Sequence, residues 1–223
     1  LLLFASVAFH ELSHSYIAKK YHVSITSITL FIFGGVAQMK GEPPHPKAEF
    51  RIAIAGPISS FLLSALFFLL SISTTGGPRA LFSYLAQINF ILGAFNLIPG
   101  FPMDGGRILR AALWSRTKDF FYATQKAANF GQRIALFFLL FGLFLIFTGS
   151  SGGLWLMLIG WFLYLAAQSS SQQATLQEVL SGIKVKDVMA RDIVTVNSSI
   201  PIDEVVDKYF LRYGYGGFPV MDD

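Results

Sequence analysis

The residues best spaced for chemistry are two histidines and a glutamate in the stretch Phe9-His10-Glu11-Leu12-Ser13-His14. On a helix, positions four apart lie about 40° apart around the axis, so His10 and His14 can each turn a ring nitrogen toward one metal ion. Glu11 stands beside the first histidine, where its carboxylate can reach a water at that ion. This is the equipment of metal-assisted hydrolysis: two imidazoles to hold a cation and a carboxylate to move a proton. A pair of core histidines with satisfied hydrogen bonds would give the same letters. The surroundings decide between the two. Residues 1–9 have no charge, and the residues after the motif stay mostly apolar as far as Ala18. Ionisable groups in a membrane segment cost on the order of 2.5–3.5 kcal/mol each on insertion scales, so three within five residues mark a working site rather than packing.

Two imidazoles leave a zinc ion one protein ligand short, because catalytic zinc keeps three protein ligands and one open position. The sequence has no cysteine, so disulfides and thiolate ligands are excluded and the third ligand must be nitrogen or oxygen. Besides Glu11, the acidic residues before Glu178 are Glu42, Glu49, Asp104 and Asp119. Glu42, Glu49 and Asp119 sit among other charges and read as solvated loop residues, and His22 and His45 lie in polar loops. Asp104 differs. It follows an apolar segment and the broken stretch Asn96-Leu97-Ile98-Pro99-Gly100-Phe101-Pro102-Met103, and Gly105-Gly106 follow it. It is either the third ligand or the N-cap of a helix over 105–115. The prolines would hold the backbone unwound and aim the carboxylate.

The elements that must position these groups are those of a membrane protein. Of 223 residues, 53% are hydrophobic and only 13% charged, about half the charged share of soluble domains, and mean hydropathy is +0.56. The expected architecture is an all-α polytopic membrane protein of about five spans. A short β or re-entrant segment lies near the site, and a partial α/β tail follows. Spans are expected at 1–18, 52–74, 81–98, 130–148 and 152–168. Residues 23–39, β-branched and broken at Gly34-Gly35, read as short strands or a re-entrant hairpin. Residues 40–51 read as a polar loop and 104–128 as an interfacial helical stretch. The chain opens on Leu1 inside an apolar run and has no basic n-region, so it is expected to continue upstream, with one more span there. Three regions follow: 1–170 in the membrane, a linker at 171–182, and a cytoplasmic unit at 183–223 that reads as truncated.

Charge placement orients the chain. Of the twelve Lys and Arg before residue 170, eleven fall in two loops that five crossings put on one side, and only Arg79 falls opposite. By the positive-inside rule those loops face the cytoplasm, so the site lies toward the cytoplasmic side of the cell membrane and the tail is cytoplasmic. The net charge of +4 is explained by this loop bias rather than by a nucleic-acid footprint, so no nucleic-acid partner is expected.

Taken together, H10-E-L-S-H14 in an apolar helix and N96-L-I-P-G-F-P-M-D104-G-G much later resemble the motifs of the site-2 protease family of intramembrane zinc metalloproteases. Gly34-Gly35-Val36-Ala37 resembles that family's G-G-x-A segment, and Ala55-Gly56-Pro57 matches as well. Met103 stands where leucine is common, a volume-conserving change. The resemblance implies one Zn²⁺ per chain on His10, His14 and Asp104, with Glu11 as catalytic acid/base. It also implies that Asn96 orients substrate or the oxyanion, and that the partners are the bilayer and a membrane-anchored protein cleaved within or near its transmembrane segment. Residues from Ile183 to Val220 resemble the first half of a CBS domain. The resemblance therefore points to the branch of the family with cytoplasmic CBS modules, and a complete module of that kind binds adenine nucleotide. A metal sensor or transporter is the competing class: it would use the same ligands without needing Glu11 as a base.

Overall fold

The computed structural model describes residues 2–31 and 34–222. Two units separate, Leu1–Val179 and Leu180–Asp223. In the first, helix α1 (Leu2–Lys20) ends on Lys19-Lys20, cations that suit the negative end of the helix dipole. His22 then takes a left-handed conformation (φ 59°), and Val23 N–H bonds back to the Ala18 carbonyl, which reverses the chain. Strands β1 (Ser24–Phe31) and β2 (Gly34–Lys40) pair antiparallel, with Leu30 opposite Gly35 and a register shift between Ile25 and Ser27. Within 23–39 the described residues thus form the expected short strands. Gly34-Gly35 opens β2 rather than interrupting an element.

Helix α2 (Pro46–Ile72) starts six residues before the expected span. Pro46 occupies its first turn, where the missing N–H costs nothing, and the His45 ring accepts a hydrogen bond from Ala48 N–H at 3.0 Å. His45 is thus a helix cap. Helix α3 (Gly76–Asn96) returns against α2, where Phe61 packs on Phe90 and the Ser64 hydroxyl donates to the Ala86 carbonyl at 2.8 Å. After the irregular stretch 97–103, the expected interfacial helix is two helices. Helix α4 (Asp104–Thr117) ends at Lys118 in a left-handed conformation, and α5 (Phe120–Phe147) is capped by the Asp119 carboxylate on Tyr122 N–H. Helix α6 (Gly152–Leu180) takes in most of the polar stretch that reads as a linker.

Small residues set the packing between these helices. Phe101, Ala127, Ala128 and Ala167 form one buried cluster, and Met103, Ala135 and Leu163 form another. A Cβ on Gly131 would strike the Phe101 backbone, so α5 supports the irregular stretch by close backbone approach. Outward, α5 and α6 present Phe137, Leu140, Phe144, Leu154, Trp155 and Trp161 as exposed side chains. Faces this apolar suit lipid rather than water.

Three helices among the described residues are long and apolar enough to cross a membrane: α2, α5 and α6, with mean hydropathies of 2.1, 2.1 and 1.3. Helices α1 and α3 fall outside that group. Both carry buried polar side chains, His10, Glu11 and His14 on α1 and Asn89 on α3.

The second unit has four short helical segments and a two-stranded parallel pairing of Val196-Asn197 with Val220-Met221. Phe218 lies among Tyr209, Phe210, Tyr213 and Tyr215, with ring centroids 5.1–6.1 Å from it.

Candidate metal centre

Helix periodicity places His10 and His14 one turn apart on α1, and both are 3% exposed. Their ring centroids are 4.9 Å apart. Asp104 comes from some ninety residues further along the chain. As the first residue of α4, its carboxylate projects from a helix start, and its Oδ2 lies 3.1 Å from Nε2 of both His10 and His14. The two Nε2 atoms and the carboxylate oxygen all lie within 4.8 Å of one another. Helix α4 has Met103 as its N-cap, so Asp104 is not the cap residue. Burial alone would raise the Asp104 pKa, but the hydrogen bonds with His10 and His14 outweigh it and hold the carboxyl well below the usual carboxylate range.

The far side of each ring is tied down. His10 Nδ1 lies 2.8 Å from the Ser60 hydroxyl, and His14 Nδ1 lies 2.6 Å from the Ile52 carbonyl oxygen. A carbonyl can only accept, so His14 Nδ1 donates to it and the ring is held with Nε2 facing Asp104, where a bound cation would take the Nε2 lone pair. Both partners come from α2, one turn either side of Gly56. A Cβ at Gly56 would run into the Nε2 atoms of both rings, so the missing side chain keeps the space between them open. The Ala55-Gly56-Pro57 pattern is visible in the sequence. The role of Gly56 in the site depends on the α1–α2 crossing, and Ser60 had no sequence signal of its own.

This arrangement fits a divalent cation of zinc's size. Ligand atoms about 2.0–2.2 Å from a tetrahedral zinc are roughly 3.4 Å apart, close to the spacing seen here. The donors are two neutral imidazole nitrogens and one carboxylate, a set that suits zinc and leaves a coordination position open.

The remaining expected residues fall out differently. Glu11 is buried on α1 next to His10. Asn96 is the last residue of α3, and its amide donates to the Leu92 carbonyl at 3.0 Å. Glu49 corrects the sequence reading. It is 0% exposed on α2, and its Oε1 is bound by Arg110 of α4, with Nε at 2.6 Å and a second guanidinium nitrogen also in contact. Glu49 looked like a loop residue because α2 was expected to begin after it.

The family model described as Peptidase family M50 matches residues 1–77 and 72–142, which together hold both motifs and all three converging side chains. The chain belongs to peptidase family M50. A CBS domain model matches residues 185–223. Among M50 relatives, the zinc metalloprotease MJ0392 of Methanocaldococcus jannaschii is 42% identical over 227 residues, covering 100% of this chain and 63% of the relative. Rip3 of Mycobacterium tuberculosis is 40% identical over 227 residues, covering 99% of this chain and 58% of the relative. The solved site-2 protease from Methanocaldococcus jannaschii superimposes with a TM-score of 0.63 at 45% identity, covering 76% of each chain. The M50 chain described here spans about three fifths of the length of these two curated relatives.

Proposed function

We propose that this chain is an intramembrane zinc metalloprotease that hydrolyses a peptide bond within or near the transmembrane segment of a membrane-anchored protein. One observation carries the reading: Asp104 meets His10 and His14 across some ninety residues of sequence, inside an otherwise apolar helical unit. His10, His14 and Asp104 would hold one zinc ion. When bound, zinc supplies a Lewis acid that polarises the scissile carbonyl and makes water acidic enough to attack near neutral pH. Glu11 takes the proton from the attacking water and gives it to the leaving nitrogen. Ser60 and the Ile52 carbonyl hold the imidazoles in the orientation that presents Nε2. Asn96 would turn from the Leu92 carbonyl to donate to the developing oxyanion.

A helical substrate hides its carbonyls in its own hydrogen bonds and must unwind before it is cut. The β1–β2 pair offers a strand edge against which an unwound stretch can align, and the pair enters the membrane from the cytoplasmic side. Helices α1, α2, α3, α5 and α6 are the five crossings. Helices α1 and α3 are tolerated despite their polar residues because these find partners inside the bundle: Asn89 Nδ2 donates to the Ser6 hydroxyl at 3.1 Å, and the His10 and His14 rings meet Ser60 and the Ile52 carbonyl of α2. The region 1–170 is the protease and 171–182 joins it to a CBS-like unit at 183–223, which faces the cytoplasm and whose chemistry is adenine-nucleotide binding. Glu11→Gln tests the reading against a metal sensor or transporter: cleavage of a single-span substrate in detergent is lost while metal stays bound. Cleavage at the wild-type rate would overturn it.

A further inference from the structure

Nothing in the hydrolytic chemistry uses the charged cluster next to the metal centre. Glu49 is fully buried and Arg110 is 7% exposed. Arg110 binds Glu49 Oε1 through two nitrogens. Its other contacts are Thr124 Oγ1 of α5 at 3.5 Å and Glu42 at 3.5 Å. Its guanidinium also lies 5.1 and 4.6 Å from the ring centroids of Phe101 and Phe120. One side chain thus ties together α2, the irregular stretch before α4, α4 itself and α5. Glu49 Oε2 has no hydrogen-bond partner. An ion pair buried this way with one oxygen unsatisfied adds little net stability, because desolvation offsets most of the attraction. Its geometry is more telling than its energy. Glu49, Ile52, Gly56 and Ser60 follow one another at helical spacing along a single stripe of α2, and the last three support the His14 and His10 rings. Arg110 stands six residues after Asp104, about 9 Å further along α4.

We propose that the Glu49–Arg110 ion pair is a positioning device for the metal centre. It fixes the height and rotation of α4 against the stripe of α2 that holds the histidines, so that the Asp104 carboxylate arrives at their Nε2 atoms. The inference rests on the metal reading of His10, His14 and Asp104. Glu49 and Arg110 act through Asp104, not on the substrate.

The test is metal affinity of the full chain in detergent, measured by competition with a chelating dye using zinc alone, alongside the visible spectrum of the cobalt(II) form. Three variants are compared: Glu49→Gln, Arg110→Lys and the double change Glu49→Met with Arg110→Met. The double change removes both charges of the pair at similar volume, and circular dichroism checks its fold, because Arg107, 4.0 Å from the same Glu49 oxygen, loses that carboxylate. Zinc affinity falls about 10–100-fold in the double variant, as when other outer partners of ligands are removed, and the cobalt bands shift. Leu85→Ala, in the buried part of α3, lowers the melting temperature and leaves zinc affinity unchanged. Wild-type affinity in a folded double variant overturns the proposal, as does an equal loss in Leu85→Ala. A wild-type chain that binds no zinc overturns the metal reading itself, and the proposal with it.

Discussion

At the scale of single residues, the proposed function divides the site into groups that hold and groups that transfer. Glu11 belongs to the second kind. Glu11→Gln keeps the side-chain volume and removes the base, so kcat falls about 10²–10⁴-fold with zinc content unchanged. Rate and metal content measured on one preparation check this, and lost metal would move Glu11 among the ligands. Ser60 belongs to the first kind, since its hydroxyl lies 2.8 Å from His10 Nδ1. Ser60→Ala frees that ring, and zinc affinity falls about 10–100-fold in a dye competition. An unchanged affinity would mean that packing alone orients His10.

At the scale of elements, α2 is the scaffold on which the site is assembled. Gly56→Ala places a methyl group where the two Nε2 atoms stand, so the chain folds but no longer takes up zinc in a titration. Full zinc binding in that variant would contradict the packing of α1 on α2 described here. The meeting of His10, His14 and Asp104 is legible in the sequence, because His10 and His14 obey helix spacing and Asp104 sits at a break that few other acidic residues share. The supporting set is not. Ser60, the Ile52 carbonyl and Gly56 acquire roles only where α2 crosses α1, and a contact between helices leaves no periodic trace in either one. The burial of Glu49 is hidden in the sequence for a local reason. Proline at the start of α2 looked like loop, yet Pro46 in a first turn is compatible with a helix that already contains Glu49. The split of 104–128 into α4 and α5 was equally hidden, since Lys118 in a left-handed conformation is not a residue that announces a turn.

At the scale of the whole molecule, the proposed topology puts the Lys- and Arg-rich loops on one side of the membrane. The absence of cysteine makes this directly testable. A single cysteine in place of Ser115 is shielded from a membrane-impermeant maleimide in intact cells and reacts after permeabilisation, whereas one in place of Gly77 reacts in both. The reverse pattern would invert the topology and put the site on the outer side. The most direct test of the central claim is elemental analysis of the purified full chain beside its Asp104→Ala variant. One zinc per chain is expected in the wild type and little or none in the variant. Equal zinc in both would show that the carboxylate from α4 is not a ligand.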